Sequence, residues 1–503
     1  MSDDERTSKG SEAKSDKASD RAASAAADKP KKAPPPERAI TSEHTIQLGG
    51  RTLRYRATAA ITHLKGEDDE PRAAVSTTAY ELIDPPEPSR RPITFAFNGG
   101  PGSSSVWLHL GWMGPYRAGF TDPMHPPPAP YRLEVNDATV LASTDLVFVD
   151  PVGTGYSRAV GDAKVDDYTS VKSDVESMAE LVRVWITRHQ RWNSPKFLVG
   201  ESYGGTRVAA LAAQLQDKGT MLNGVGLISA ALDFTALEFQ WGNDFPHVIY
   251  LPSYVAVAAY HGATAPTDLD RAIDDARRMA VSEYGPALFA GSALSPESTD
   301  SLAERLAAIT GLSKTWIVQQ GLRLDIARVT KELLRTRGQV VGRLDARFLG
   351  HDVDAGSGEM QADPSYSAPL GPYRALMSDY LRRVLQVEDD RDYEILSMKV
   401  NEAWKWEIPK GRTGGFLNVV GELRRAMLDN PHLRVMFANG LYDLATPFFA
   451  NEHAARHLGH EAHVKKNVRE HLYPAGHMMY LHAPSRARLT QDFEAFVRDA
   501  IGS

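Results

Sequence analysis

One serine, Ser202, stands between two glycines at the seam of a strand-like and a helix-like stretch, FLVGESYGGTRVAALAAQL (197–215). Gly-x-Ser-x-Gly in that context is typical of a nucleophile elbow, a sharp turn that exposes the serine hydroxyl. Side chains at Gly200 and Gly204 would collide with the adjoining strand and helix, which gives both glycines a physical reason. Glycine and serine also form ordinary turns without chemistry. The other parts of a catalytic site therefore decide between the two interpretations.

A serine hydroxyl is a weak nucleophile and needs a base that is oriented by a carboxylate. In this architecture both groups come from later strand ends, in the order Ser, Asp, His. The segment ANGLYDLATP puts Asp443 in a loop after an apolar strand, and LYPAGHMMY puts His477 just after the final strand and Gly476. Either residue alone could be incidental, but in this order they predict a catalytic triad of Ser202, Asp443 and His477.

An acyl-transfer site also needs two backbone N–H groups that stabilise the oxyanion. One is expected from Tyr203, directly after the serine, and the other from the loop after an earlier strand. The stretch FNGGPGSSS occupies that loop, and its glycines let the backbone approach a substrate closely. Gly100 is therefore the predicted second donor, with a simple Gly-Pro turn as the alternative interpretation.

The hydrophobic pattern indicates the elements that must position these residues. The alternating stretches HTIQLGGRTLRYRATAAIT and AAVSTTAYELI predict an opening antiparallel meander. A crossover helix is predicted within DYTSVKSDVESMAELVRVWITRHQ, capped by Thr169 or Ser170. Short apolar runs predict buried strands of a central sheet at 93–100, 145–150, 196–201, 223–230, 433–440 and 469–477. This alternation of strands and helices predicts an α/β fold with a mostly parallel sheet.

The chain is predicted to have a discontinuous core. After Asp233, helical patterns such as DLDRAIDDARRMAVSEYG dominate as far as Gly414, and strand patterns then return. Core segments of 41–233 and 415–503 are therefore expected, with residues 234–414 forming an inserted, mainly helical cap. Residues 1–40 are rich in charge, alanine, serine and proline without periodic apolar residues, which favours a disordered tail.

Composition excludes several classes of function. The 503 residues carry a net charge of −7 without a long basic run, so neither nucleic acid nor an anionic membrane is an expected partner. No run reaches the roughly 18 apolar residues of a membrane helix, and a soluble protein acting on a peptide-like partner is expected. The absence of cysteine excludes disulfides and Cys-based metal sites, and the predicted chemistry needs no metal or organic cofactor.

Two further expectations concern location and assembly. The first residues open on acids and lack the apolar region of a secretory signal, which favours a cytoplasmic location and leaves a periplasmic or secreted one open. The sequence leaves the oligomeric state open, a homodimer included.

Four segments together resemble a known family. They are NGGPGSSSVWLHLGWMGP, DLVFVDPVGTGYS, VGESYGG and GHMM, and they are similar to the signature blocks of the serine carboxypeptidases (peptidase S10), which are α/β-hydrolases with a helical cap. The resemblance covers residues 90–230 and 430–482 and leaves the cap only generically covered. It implies the same triad and oxyanion donors, and cleavage of peptide C termini through an acyl-enzyme. It also implies that Asn98, Gly99 and Glu201 face the C-terminal carboxylate of the substrate.

The sequence departs from the family pattern around that carboxylate site. A count without gaps from Asn98 places Trp112 where the family usually has a second carboxylate-binding Glu, and Ala96 where it usually has Trp. Ser103 replaces the usual Cys, and the DPVGTGYS block is one residue shorter than the common form. Trp112 is therefore predicted to lie at the substrate-binding site and to weaken the preference for a free C terminus. The alternative is that the cap supplies a replacement cation or donor, such as one of its Arg residues, which would keep a strict preference at neutral pH.

Two rival functions stay open at this stage. One is an esterase or acyltransferase on the same scaffold, because a triad forms the same acyl-enzyme and only the acceptor differs. The other is a catalytically silent binding protein, against which the complete set of Ser, Asp and His argues.

Overall fold

The computed structural model describes residues 34–502, except for 35, 84, 86, 120–125, 127 and 407–414. Most of the predicted tail, 1–40, therefore lies outside the described residues. Its last three residues were assigned wrongly, because Arg38–Leu48 forms the first strand and pairs along its whole length with the second. The reason is that the alternation of half-buried and exposed side chains already begins at Arg38.

Most of the described strands belong to one large sheet. The strands are β1 (Arg38–Leu48), β2 (Arg51–Lys65), β3 (Pro71–Leu82), β4 (Ile93–Phe97), β5 (Tyr116–Ala118), β6 (Leu133–Val135), β7 (Asp145–Val149), β8 (Arg158–Ala159), β9 (Lys196–Glu201), β10 (Gly224–Ile228), β11 (Val340–Val341), β12 (Leu349–Gly350), β13 (Arg434–Gly440) and β14 (Val468–Tyr473). Two short pairs, β5–β6 and β11–β12, lie outside the large sheet.

The large sheet has the order β1-β2-β3-β7-β4-β9-β10-β13-β14, and β8 pairs with β3. The pairs from β1 to β7 are antiparallel, whereas every pair from β7 to β14 is parallel. The predicted meander and the mostly parallel central sheet are confirmed. The strands β4, β7, β9 and β10 are buried along their whole length, which explains why their sequences are unbroken apolar runs.

Helices cover both faces of this sheet. The described α-helices are α1 (Val106–Leu108), α2 (Val171–Arg188), α3 (Tyr203–Asp217), α4 (Phe245–Tyr260), α5 (Leu269–Met279), α6 (Gly285–Ala290), α7 (Pro296–Thr310), α8 (Lys314–Gln319), α9 (Ile326–Glu332), α10 (Pro364–Asp379), α11 (Met398–Glu402), α12 (Val420–Asp429), α13 (Phe448–Arg456), α14 (Ala462–Asn467) and α15 (Ala483–Ile501). The helices α2, α3 and α12 share one apolar core with the sheet, and α15 belongs to the core on the other face.

Two details of the helices bear on the sequence predictions. The crossover helix is confirmed as α2, and Ser170 caps it by accepting a hydrogen bond from the Ser173 N–H. Among the described residues, no helix combines the length and the apolar character that crossing a bilayer requires.

Between β10 and β13 the described residues form mainly helices, α4 to α12, with the short pair β11–β12. The apolar core that α4 to α9 share also contains Leu444 and Phe448, which follow β13. The helical part therefore packs directly on the loop that carries Asp443. The cap boundaries at 234 and 414 stay a prediction, because residues 407–414 are outside the described chain.

Candidate active site

The predicted catalytic and oxyanion residues each follow a strand of the parallel part of the sheet. Gly100 follows β4, Ser202 follows β9, Asp443 follows β13 and His477 follows β14. These strands lie in the spatial order β4, β9, β10, β13, β14. Because parallel strands end at the same edge of a sheet, the fold gathers four residues that are far apart in sequence.

A cleft of about 360 Å³ opens at this edge. Six residues that the sequence singled out line it: Asn98, Gly99, Gly100, Glu201, Ser202 and His477. Within the part of the chain that the structure describes, no cluster of three or more His, Cys, Asp or Glu side chains could hold a metal ion.

Ser202 sits on a strained turn between β9 and α3. Its φ of 61° and ψ of −127° are outside the regions that most residues adopt. The turn is held by backbone bonds, since the Ser202 N–H donates to Ile228 O at 3.0 Å and its carbonyl accepts from the Gly205 N–H at 2.9 Å. A Cβ on Gly200 would collide with the Gly204 carbonyl, and a Cβ on Gly204 would collide with the Phe97 carbonyl. Both glycines are therefore needed for the elbow to close.

Asp443 and His477 form a buried hydrogen-bonded pair. His477 Nδ1 lies 2.7 Å from Asp443 Oδ2. Because an ionised carboxylate only accepts hydrogen bonds, Nδ1 is the donor, which leaves Nε2 free to act as a base. Asp443 Oδ1 accepts from the N–H groups of Ala445 at 2.8 Å and Thr446 at 3.0 Å. The carboxylate is thus fixed in orientation by its own loop.

Thr446 is a site residue that sequence reasoning missed. Its hydroxyl donates to Asp443 Oδ2 or to the Ser229 carbonyl, at 2.7 and 2.9 Å. Ser229 in turn donates through its own hydroxyl to the His477 carbonyl at 2.8 Å. The signal was present in the sequence, because a Thr three residues after an Asp in a post-strand loop is typical of a local turn that binds its own backbone.

The pKa of His477 is set by opposing effects. Burial lowers the pKa of the imidazole, but the charge of Asp443 and its hydrogen bond raise it further, so the net shift is upward. Nearby Glu201 adds to the rise, whereas the positive charge of Arg343 opposes it. A raised pKa makes His477 a stronger base toward a serine hydroxyl.

Ser202 and His477 line the same cleft without a hydrogen bond between their side chains, both of which the structure describes. Catalytic hydrogen bonds are often long before substrate binds and shorten in the complex. The arrangement is therefore compatible with proton transfer from the Ser202 hydroxyl to His477 Nε2 once substrate fills the cleft.

The predicted oxyanion donors lie on either side of Ser202. Tyr203 begins α3, and Gly100 is exposed in the loop after β4. Among the described residues neither backbone N–H has a hydrogen-bond acceptor. A Cβ on the neighbouring Gly99 would lie 2.5 Å from the Tyr203 nitrogen, so the two backbone segments are in close contact. Both N–H groups are therefore available beside the nucleophile.

A segment of the helical part buttresses this loop, which the sequence did not indicate. The Ser397 N–H donates to Gly102 O at 2.8 Å, and Asn401 Nδ2 donates to Pro101 O at 3.0 Å. Leu396 of the same segment lines the cleft. The loop of the oxyanion donors is therefore held by contacts between regions about 300 residues apart.

Glu201 is a buried acid at the wall of the cleft. The Tyr480 hydroxyl lies 2.9 Å from Glu201 Oε2 and 3.1 Å from Oε1. The Asn98 side chain also bonds the carboxylate. Burial nevertheless dominates, and it raises the pKa of Glu201 to about 7 from 4.5, although the charge of His477 and the bonds from Tyr480 and Asn98 oppose the rise. Glu201 therefore changes charge near neutral pH.

Trp112 does not lie at the substrate site, so that prediction is wrong. Its side chain has no exposed surface, and its indole N–H donates to Thr490 Oγ1 of α15 at 2.9 Å. The ring of Phe493, also on α15, packs edge-on against the indole. The residue beside it, Gly111, faces Tyr480 instead, because a Cβ there would collide with the Tyr480 ring. The position that matches the family's second Glu in a count without gaps from Asn98 is therefore turned away from Glu201 and toward α15.

A buried ion pair holds the Asn98 backbone. Arg207 of α3 donates to Asp174 of α2 at 2.8 Å and to the Asn98 carbonyl at 2.7 Å. Both charged side chains are almost fully buried. Burial raises the pKa of Asp174, and Arg207 opposes that rise. The pair therefore links two helices to the loop after β4.

Replacing Arg207 with leucine is expected to lower the free energy of unfolding by about 3–5 kcal/mol, because Asp174 is left buried and unpaired. Protonation relieves an unpaired carboxylate, so the loss should be smaller at acid pH than at neutral pH. Urea unfolding at the two pH values measures both effects. The double variant with Asp174→Asn is the control and should recover part of the loss. Equal losses in the single and double variants would contradict this account.

The chain is similar to serine carboxypeptidases in sequence. A family model described as serine carboxypeptidase matches residues 79–483. Serine carboxypeptidase-like 51 of Arabidopsis thaliana is 33% identical over 180 residues, which cover 34% of this chain and 35% of that protein. The pheromone-processing carboxypeptidase kex1 of Neosartorya fischeri is 30% identical over 130 residues, which cover 24% of this chain and 18% of that protein. The alignments thus span about a third or less of these relatives.

A solved structure shares the fold. It is the crystal structure of Kex1(delta)p, a prohormone-processing carboxypeptidase from Saccharomyces cerevisiae. The match has a TM-score of 0.55 at 14% identity and covers 88% of this chain and 92% of that chain. At this identity the likeness concerns the fold alone, and the predicted α/β-hydrolase fold is confirmed.

Proposed function

This chain belongs to the serine carboxypeptidase family, and we propose that it hydrolyses the last peptide bond of a peptide through a triad of Ser202, His477 and Asp443. The observation that carries the proposal is the 2.7 Å bond between His477 Nδ1 and Asp443 Oδ2, beside a cleft that Ser202 lines from its strained turn. The pair supplies a base and the turn supplies a half-buried nucleophile at the cleft, which together are the requirements for acyl transfer.

The acylation step follows from these positions. Ser202 Oγ attacks the carbonyl carbon of the scissile bond while its proton moves to His477 Nε2. The carbonyl oxygen becomes an oxyanion, and the N–H groups of Gly100 and Tyr203 donate to it. The C–N bond then breaks, and the leaving amine takes the proton from His477. The shortened peptide is left as an ester on Ser202.

Deacylation repeats these steps with water. A water molecule gives a proton to His477 Nε2 and attacks the ester carbonyl. The bond to Ser202 Oγ breaks, and the oxygen regains its proton from His477. Asp443 stays ionised throughout and stabilises the imidazolium that forms in each half of the reaction.

Recognition of a C terminus is assigned to Asn98, Gly99 and Glu201, on the resemblance to the family. Support comes from the cleft, which all three residues line together with the nucleophile. Tyr480 acts behind Glu201 and holds it in place, because its buried hydroxyl contacts both oxygens of the carboxylate. Glu201 can offer a hydrogen-bond donor to a carboxylate only while it is protonated.

Incubation of the protein with a defined peptide library, followed by mass spectrometry, is expected to show loss of single residues from free C termini. Prior labelling of Ser202 with a fluorophosphonate should abolish this cleavage and modify the protein once, because only an activated serine reacts. Small acyl esters run in parallel distinguish an esterase, which would turn over the esters alone. Absence of both labelling and turnover would instead indicate a binding protein and overturn the proposal.

A further inference from the structure

Arg343 is held between the two loops that carry Asp443 and His477. Its carbonyl accepts from the Leu444 N–H at 3.0 Å, directly after Asp443. The carbonyl of the next residue, Leu344, accepts from the His477 N–H at 2.7 Å. These bonds fix the backbone of Arg343 relative to the catalytic pair. These bonds do not involve the Arg343 side chain, which therefore stays available to a ligand.

The backbone is also fixed from the helical side. The Arg343 N–H donates to Asp363 Oδ1 at 3.1 Å, and the Leu344 N–H donates to Ser365 Oγ at 2.9 Å. Asp363 and Ser365 lie at the start of α10, where the same Asp363 oxygen caps the helix. The backbone of Arg343 and Leu344 is therefore anchored both to the catalytic loops and to α10. This fixes the point from which the Arg343 side chain extends.

The Arg343 side chain is an exposed cation at the wall of the cleft. Within the described residues, no carboxylate forms an ion pair with its guanidinium, and Asp363 bonds its backbone instead. Its charge is felt at the catalytic base, because it opposes the rise in the pKa of His477. A planar guanidinium matches the geometry of a carboxylate, which it can bind through two parallel hydrogen bonds.

We propose that Arg343 determines specificity by binding a carboxylate on the C-terminal residue of the peptide substrate. This inference rests on the proposed function and concerns the residue that leaves during acylation. The carboxylate is the terminal α-carboxylate or the side chain of a C-terminal Asp or Glu. Both offer the same planar anion, and substrates that differ in only one of the two carboxylates distinguish these sources.

Arg343→Gln tests the proposal, since it removes the charge and leaves the anchored backbone unchanged. For blocked dipeptides with a free C terminus, kcat/KM is expected to fall roughly 10- to 100-fold, mainly through KM. The corresponding C-terminal amides should change by less than about twofold. Arg343→Lys should recover part of the loss, because it keeps the charge but not the two-pronged geometry. Arg271→Gln, an exposed arginine of α5, is the matched control.

Two substrate pairs identify the source of the carboxylate. If Arg343 binds the α-carboxylate, Arg343→Gln should reduce the ratio of kcat/KM for free-acid peptides to kcat/KM for the corresponding amides. If it binds an acidic side chain, the variant should instead reduce the ratio of kcat/KM for peptides that end in Glu to kcat/KM for peptides that end in Gln. An equal change for every substrate, or none for any, would overturn the inference while leaving the proposed function intact.

Binding of a product analogue gives a readout that needs no turnover. Calorimetry with Ser202→Ala compares free phenylalanine, the form in which a C-terminal residue leaves, with phenylalaninamide, and adding Arg343→Gln should weaken binding of the acid alone. If the wild-type protein cleaves no peptide, the proposed function fails. The inference about Arg343 then fails separately if the acid binds no better than the amide.

Discussion

Alanine in place of Ser202 is expected to lower kcat for peptides and esters by about 10⁴- to 10⁶-fold, because it removes the nucleophilic oxygen. His477→Ala should have a similar effect, and Asp443→Asn should cost about 10⁴-fold, because the amide favours the wrong tautomer of His477. Steady-state turnover of the purified variants measures all three losses. Turnover of Ser202→Ala above about a tenth of wild type would refute the triad.

The fold should survive this substitution. The Ser202 turn is held by backbone bonds to Ile228 and Gly205, and these do not involve the hydroxyl. Unfolding of the variant should therefore resemble that of the wild type. Ser103→Ala is the matched control, because Ser103 lines the same cleft while its hydroxyl bonds only to neighbouring groups. Its kcat is expected to stay within about tenfold of wild type.

The sequence predicted the strands before Ser202 and Asp443 well, because both are buried almost throughout and each ends in a loop with a distinctive residue. The strand before His477 was predicted as buried over 469–477, but it ends at Tyr473 and is mostly half-buried or exposed. The strand before Ser202 was predicted as 196–201 and is observed as Lys196–Glu201. The strand before Asp443 was predicted as 433–440 and begins one residue later, at Arg434. Sheets of parallel strands gather their carboxyl ends at one edge. Correct strands therefore imply that Ser202, Asp443 and His477 come together.

The sequence could not predict side-chain directions around Glu201. The helix after the oxyanion loop changes from α1 to a π-helical turn at His109–Met113. A π turn holds more residues than an α turn, so a count along the chain no longer gives the face on which a residue lies. Trp112 was placed by its match to the family pattern, and the structure turns it toward α15 instead. Tyr480, which contacts Glu201 from a distant segment, was missed.

Thr446 and Arg343 illustrate a second kind of feature that the sequence could not fully predict, namely contacts between distant loops. Both act at the site through contacts with loops that are distant in sequence: Thr446 contacts Ser229, and Arg343 contacts Leu444. The local turn of Thr446 with Asp443 could be read from the sequence, but no periodicity or motif marks its bond to Ser229 or the bond from Leu444 to Arg343. The roles of Thr446 and Arg343 at the site therefore become visible only in the structure.

The preference of the protein for free C termini is expected to fall as the pH rises through about 7. The reason is that burial raises the pKa of Glu201 to about 7. Below that pH the protonated acid can donate a hydrogen bond to the substrate carboxylate, and above it the two charges repel. Losing a charged hydrogen bond costs roughly 1.5–3 kcal/mol, or about 10- to 150-fold in kcat/KM.

The ratio of kcat/KM for a free-acid peptide to that for its amide isolates this effect. His477 must be neutral to act on either substrate, so its titration cancels in the ratio. Measurements between about pH 4.5 and 8 should show a plateau at acid pH and a decline near neutrality. Arg343 contributes at every pH in this range, because its guanidinium stays charged. It can therefore raise the ratio but cannot produce the decline.

Two variants test whether ionisation of Glu201 causes the decline in the free-acid to amide ratio. Glu201→Gln should give a ratio that is independent of pH, because an amide cannot ionise. Tyr480→Phe removes a bond that lowers the pKa of Glu201, so the decline should move to higher pH. A free-acid preference above about a hundredfold, roughly 2.7 kcal/mol, that persists at every pH would contradict both expectations. It would mean that donors other than Glu201 hold the carboxylate, and Arg343 would then be the first residue to test.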